Sequence, residues 1–224
     1  MHNYHDMTSL PGAVIFDMDG VIIDSEPLHE KAQRIVFANN DLQVPVNVYT
    51  DFKGQTEEDV FSYVVREFGN EAHDQRALVA QKHAVYSRLM DEMQPIEGAI
   101  AFIDFLAGLD IRLALTTSAI RDNQVKAFEL FGLQPYFEVV VTAEDVSRPK
   151  PHPEPYVMTA SRMDVPVENC LVIEDSVNGV RSALGAGCRV AALTTSFSAE
   201  ILRNAGADFV HDSFADLQKS FTSA

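Results

Sequence analysis

The chain holds 224 residues, 46% hydrophobic and 22% charged, with a formal net charge of −16. That length suits one large domain or two smaller ones around a real core, in an ordinary globular class. The acidic surplus repels nucleic acid and anionic membrane surfaces, so neither is an expected partner, and an anion site has to be assembled locally from a metal, a lysine and backbone N–H groups.

Cys170 and Cys188 show neither zinc-site spacing nor a disulfide framework, and read as small core residues in a reducing compartment. No stretch approaches the roughly 20 apolar residues of a membrane span. Met1–Pro11 carries no signal-peptide run, and the expected location is cytoplasmic.

The first apolar run is Ala13–Phe16. After it the rhythm changes. From about Ser25 to Met93 no buried strand is legible, and three amphipathic stretches read as helices: Pro27–Asn39, Thr56–Phe68 and Asp74–Met93. Thr56 followed by Glu57, Glu58 and Asp59 makes a good helix start. Thereafter short apolar runs return at Leu113–Leu115, Val139–Val141, Leu171–Ile173, Val190–Leu193 and Phe209–Val210, with helical spacing between them. Such runs read as strands of a parallel sheet buried on both faces. The expected fold is therefore α/β: a doubly wound, mostly parallel, Rossmann-like core over 12–24 and 95–224, with a small all-helical domain inserted at 25–94.

Four polar clusters end predicted strands. Asp17-Met18-Asp19-Gly20-Val21 puts two carboxylates beside a turn-forming glycine, where ligands bind in open α/β sheets. Leu115-Thr116-Thr117-Ser118 offers hydroxyls and N–H groups to a phosphate. Arg148-Pro149-Lys150-Pro151-His152-Pro153-Glu154 holds one lysine in a stiff loop. Ile173-Glu174-Asp175-Ser176 supplies adjacent acids of the kind that bind a hard cation. Taken singly, these are also an acidic turn, a helix cap, a linker lysine and an acidic cap. Together they fall on one edge of the predicted sheet, with oxygen ligands for Mg²⁺ and donors for an anion.

Asp17-Met18-Asp19-Gly20-Val21, Thr117, Lys150 and Glu174-Asp175 resemble the four motifs of the haloacid dehalogenase superfamily of phosphohydrolases. The insert, with Asp24-Ser25-Glu26-Pro27-Leu28-His29 and Phe52-Lys53-Gly54-Gln55-Thr56, resembles the cap of the beta-phosphoglucomutase-like branch. The resemblance implies that Asp17 attacks phosphorus and forms an aspartyl-phosphate. It implies that Mg²⁺ is held by Asp17, the Asp19 carbonyl and Asp175, with Glu174 a further ligand or one layer out. Asp19 becomes the general acid and base, Lys150 the neutralising cation, and Thr117 with the Ser118 N–H the phosphoryl-oxygen donors. The implied substrate is a small phosphorylated metabolite and the implied assembly a monomer or weak dimer. His29, Lys53, Gln55, Thr56 and His83 of the insert become candidate substrate contacts, although His83 also reads as a solvated surface residue.

Two other readings compete. A hexose-phosphate mutase of the same branch uses a histidine where His29 stands. Such mutases also use an arginine shortly after the cap glycine, and here Gly54 is followed by Gln55, Thr56 and Glu57. A signalling receiver domain shares the phospho-accepting aspartate, acidic pair, threonine and lysine, but is shorter and keeps its acidic pair apart from the acceptor. A non-catalytic binding protein on this fold is disfavoured by the intact motifs.

Overall fold

The computed structural model describes residues 10–51 and 57–222. Strand β1 is Ala13–Phe16, with every residue buried. The two-residue strand β2 (Ile23–Asp24) leads to helices α1 (Glu26–Asn39), α2 (Val46–Asp51), α3 (Glu57–Phe68) and α4 (Gln75–Leu89), and β3 (Gln94–Pro95) closes the excursion. Then follow α5 (Ala99–Gly108), β4 (Arg112–Thr116), α6 (Arg121–Phe131), β5 (Phe137–Val141), α7 (Glu154–Met163) and β6 (Cys170–Glu174). The chain ends with α8 (Val177–Ala186), β7 (Arg189–Leu193), α9 (Ala199–Ala205), β8 (Phe209–His211) and α10 (Phe214–Thr222).

All six predicted runs are strands of one parallel sheet, ordered β5-β4-β1-β6-β7-β8. From β1 the chain builds outward through β4 and β5, then returns to the other side of β1 for β6, β7 and β8. The doubly wound expectation is met, and β1 sits where the winding reverses. At such a point the loops leaving the carboxyl ends diverge and open a crevice.

Apolar side chains cover both faces of the sheet. Ala13, Ile15, Val172, Val180, Val190 and Tyr156 share one core cluster. On aromatic ground, Phe16 packs edge-on against Phe102 at 6.3 Å and Phe137 at 5.8 Å, and Phe102 also meets Phe214 and Phe221. A fully buried Phe of this kind contributes about 1.5–3 kcal/mol relative to exposure.

The chain divides into two compact units, one running through Asp24 and resuming at Gln94, the other spanning Ser25–Met93. The second unit is helical among its described residues. Its core is formed by Val36, Phe37, Val60, Phe61, Val64 and Leu78, with the Phe37 and Phe61 rings 5.1 Å apart. Three local features differ from the sequence expectation. Val46–Asp51 is a short helix that its weak pattern does not announce. The helix expected to reach Met93 leaves α geometry at Leu89 and finishes as a 3₁₀ turn over Met90–Glu92. The two passages into and out of the insert are hydrogen-bonded to each other, with Ile23 opposite Pro95 and Asp24 opposite Gln94.

Candidate active site

Strands β4, β1 and β6 are adjacent, with Phe16 level with both Leu115 and Ile173. One residue further on, Asp17, Thr116 and Glu174 leave the sheet side by side. The backbone confirms the register: Asp17 N–H donates to the Ile173 carbonyl at 3.0 Å. Sequence proximity plays no part in this meeting; parallel pairing makes it.

Lys150 joins the group from the loop before α7. Its ammonium donates to Asp17 Oδ1 at 2.6 Å, Glu174 Oε1 at 2.7 Å and the Thr116 carbonyl at 3.0 Å. An ammonium has three donors, so all are used. The loop that carries it is pinned at its base. Glu154 accepts from Ser147 N–H at 2.6 Å and Arg148 Nε at 3.1 Å, and Ser182 donates to the His152 carbonyl at 2.6 Å.

Glu174 is the anchor of the lysine. Besides Lys150, its Oε1 accepts the Tyr156 hydroxyl at 2.7 Å, and the Lys150 Nζ stands 4.9 Å from the centre of the Tyr156 ring. Its Oε2 accepts from Asp175 N–H at 3.1 Å, Ser176 N–H at 3.2 Å and Ser176 Oγ at 3.0 Å. Five hydrogen bonds fill the carboxylate. Gly179 makes room for it: a Cβ there would fall 1.7 Å from Glu174 Oε1.

Asp175 points the other way, accepting the Ser196 hydroxyl on Oδ2. Gly20 makes this approach possible. Its φ of 75° lies in the left-handed region, and a Cβ would stand 1.9 Å from Asp175 Oδ2. Thr195 Oγ1 ties the same turn down by donating to the Gly20 carbonyl at 2.5 Å. Neither Thr195 nor Ser196 was singled out from sequence. The signal existed, since Thr194-Thr195-Ser196 directly follows a strand, at the edge that gathers every other motif.

The electrostatics follow from three buried carboxylates sharing one ammonium. Burial acts to lower Lys150, but Asp17 and Glu174 outweigh it and hold the ammonium above its ordinary value. Burial acts to raise Glu174, and Lys150, Tyr156 and Ser176 together keep it below the usual range. Asp17 is pushed well up by burial; Lys150 offsets this only in part, and Glu174, Asp175 and Asp19 push further. Asp175 rises to about 7, from burial first and Glu174 second. One cation cannot neutralise three carboxylates, so the site carries uncompensated negative charge.

A hard divalent cation fits that surplus. Asp17, Glu174 and Asp175 each offer a carboxylate oxygen within 4.8 Å of the others. With Glu174 already saturated, Asp17 and Asp175 are the two with oxygens to give.

The Thr117 loop keeps two donors that the fold does not use. Thr117 N–H is spent on Val141 at 2.9 Å, and Ala119 N–H on Thr117 Oγ1 at 2.9 Å. The first amide of α6, Arg121 N–H, is spent on the Glu144 carboxylate at 3.0 Å. Among the described residues, the Ser118 N–H has no protein acceptor, and the Thr117 hydroxyl keeps its proton to give. Ser118 is exposed and Thr117 buried.

The other candidates belong to the turn after β1 and to the insert. Asp19 sits half-exposed on the turn after Asp17, bridged to Ile23. His29 lies in α1, stacked on Tyr86 with ring centres 4.2 Å apart. His83 is exposed on α4 and pairs with Glu57 at 2.6 Å. Its neighbour Lys82, unremarked in the sequence, is buried, 2.5 Å from Glu57 Oε1. Lys53, Gln55 and Thr56 lie outside the described residues. Among the described residues, no helix is long and apolar enough to cross a membrane.

Residues 14–193 match the family model of haloacid dehalogenase-like hydrolases. The chain is 30% identical over 193 residues to validoxylamine A 7'-phosphate phosphatase of Streptomyces hygroscopicus subsp. limoneus, covering 85% of this chain and 89% of that protein. It is 31% identical over 177 residues to a fructose-1-phosphate phosphatase of Escherichia coli K12, covering 78% and 92%. Among solved structures, a Thermotoga maritima protein provisionally assigned as a beta-phosphoglucomutase superposes with a TM-score of 0.81 at 27% identity, covering 95% of this chain and 99% of that one.

Proposed function

We propose a function from one premise, that this chain belongs to the haloacid dehalogenase-like hydrolase family, in its beta-phosphoglucomutase-like branch. The chain is a phosphohydrolase. Its proposed substrate is a small phosphorylated carbohydrate or related polyol. The phosphatases it resembles are named for a fructose phosphate and a validoxylamine phosphate, which supports that class.

In the proposed reaction a carboxylate oxygen of Asp17 attacks phosphorus while the bond to the ester oxygen breaks, leaving an aspartyl-phosphate. Asp19 gives its proton to the departing alkoxide. Asp19 then takes a proton from water as the water attacks the aspartyl-phosphate, and inorganic phosphate leaves with Asp17 restored. Thr117 Oγ1 and Ser118 N–H hold phosphoryl oxygens. Lys150 spreads the charge of Asp17 and of the transferring group. Asp17, Asp175 and the Asp19 carbonyl would hold a Mg²⁺ ion, which would supply charge to offset repulsion between nucleophile and phosphate. Glu174 is assigned to hold Lys150, because its lone pairs are already occupied.

The observation that carries this reading is the Lys150 ammonium bound to both Asp17 and Glu174 at the carboxyl edge of the sheet. The test is a phosphate-release assay over hexose, pentose and polyol phosphates. It runs beside coupled conversion of beta-glucose 1-phosphate to glucose 6-phosphate with a bisphosphate activator. Hydrolysis is expected to exceed transfer, since Gly54 is followed by Gln55, Thr56 and Glu57 and no arginine stands directly after it. Efficient isomerisation with little phosphate release contradicts it.

A further inference from the structure

Cys170 and Cys188 are the two cysteines of the chain, and neither is in a disulfide. Cys170 opens β6, and Cys188 immediately precedes β7. The register sets Leu171 opposite Arg189 and Val172 opposite Val190. One step back, to the first residue of β6 and the residue before β7, places Cys170 beside Cys188. Neighbouring strands lie about 4.8 Å apart, and level residues of a parallel pair point to the same face. That spacing falls inside the Cα window of about 4.4–6.8 Å that a disulfide accepts.

Packing agrees with the register. Both cysteines belong to the same core cluster, with Ala13, Val172 and Val190. The Cys170 S–H donates to the Pro166 carbonyl at 3.5 Å, and the two cysteine side chains lie close enough to shift each other's titration. That mutual contact holds the Cys170 thiol below its ordinary value and pushes the Cys188 thiol up. A pair so matched has one sulfur suited to begin an exchange and another beside it to complete it.

We propose that Cys170 and Cys188 are a dithiol–disulfide couple, oxidised by small-molecule disulfides to a staple between β6 and β7. In the first step the Cys170 thiolate attacks one sulfur of glutathione disulfide, forming a mixed disulfide and releasing one glutathione thiolate. The Cys188 thiol then gives up its proton to that thiolate, and its sulfur attacks the Cys170 sulfur. The second glutathione leaves. Two protein thiols are oxidised and one glutathione disulfide is reduced to two thiols, so no other oxidant enters.

Cys170 is 0% and Cys188 4% exposed, so exchange proceeds through local opening of the strand starts. The same burial shields the finished bond from reduction. The staple closes a loop made of β6, α8 and their connection, and that loop carries Glu174, Asp175 and Gly179. It does so from the amino edge of the sheet, whereas those residues act at or near the carboxyl edge. The couple stands on the strand register alone and does not depend on the proposed hydrolysis.

The full chain, folded and in urea, is equilibrated in glutathione buffers of increasing oxidised share. It is then acid-quenched, alkylated and weighed. The folded chain is expected to pass from two alkylated thiols to none, at a mass about 2 Da, two hydrogens, below that of the unalkylated dithiol chain. It should do so in a buffer about tenfold more reducing than the urea-unfolded chain requires, and in the same buffer the melting temperature should rise by about 3–6 °C. Cys188→Ser should stop at a single mixed disulfide with no gain in melting temperature. The proposal is overturned if the folded wild-type chain stays dithiol where the unfolded chain oxidises, if both cysteines carry glutathione, or if the bond links two chains.

Discussion

Lys150 and Asp17, 133 residues apart in sequence, meet at 2.6 Å inside the protein. The lysine is shared with Glu174 and the Thr116 carbonyl, so it joins the ends of three adjacent strands. Removing it leaves two buried carboxylates facing each other without a cation. Lys150→Ala is therefore expected to lower unfolding free energy at neutral pH by about 3–5 kcal/mol, as for a buried pair that loses one partner. Phosphate release should fall by about a hundredfold or more. Denaturant titration and a phosphate assay check both, and a variant as stable as the parent refutes the charge balance described above.

Two glycines of α8 give opposite expectations. A Cβ at Gly185 meets Pro153 at an ordinary 3.5 Å, so Gly185→Ala should stabilise the helix, by roughly 0.5–1 kcal/mol. At Gly179 the added Cβ would overlap the Glu174 carboxylate, which five hydrogen bonds hold in place. Gly179→Ala should cost about 2 kcal/mol or more and slow phosphate release by releasing Lys150. Thermal melts of the two variants side by side decide it; equal effects would mean Glu174 yields freely.

His29 makes the stability of the chain depend on pH. Burial first, then the charges of Lys82 and His83, lower it from its ordinary 6.5 to about 3. A depressed histidine keeps its full contribution above the unfolded value near 6.5, and loses it as pH falls toward about 3. Within that window the unfolded chain binds the extra proton, so wild-type stability should drop by up to about 1.4 kcal/mol per pH unit from this group. His29→Phe keeps a ring against Tyr86 and removes the proton site. Urea midpoints from pH 7.5 down to pH 4.5, a window set by the histidine range, should fall less steeply for the variant. Parallel curves would show that His29 is charged in the folded chain.

Much of this was legible in sequence because it is local. The six strands announce themselves as buried apolar runs, and each motif of the site directly follows or precedes a regular element. Asp17, Thr117, Lys150, Glu174 and Asp175 could be placed on one edge by strand order alone. What the chain does not announce are contacts made across the fold. Tyr156 reads as one more apolar position of a helix, yet its hydroxyl holds Glu174. Glu144 reads as a solvated acid, yet its carboxylate occupies the first amide of α6. The pairing of β2 with β3 is two residues long and has no period to detect. Cys170 and Cys188 read as two small core residues, which they are, but only the β6–β7 register brings them together.

The central claim is that Asp17 carries the phosphoryl group. The most direct measurement is an acid-quenched single turnover with an aryl phosphate, followed by mass analysis of the peptide spanning Ala13–Ile23. A phosphoryl adduct on Asp17 is predicted in the wild-type chain. Asp17→Asn, with its melt unchanged, should show no adduct and no phosphate release. Turnover that persists in Asp17→Asn, or an adduct on another residue, contradicts the account.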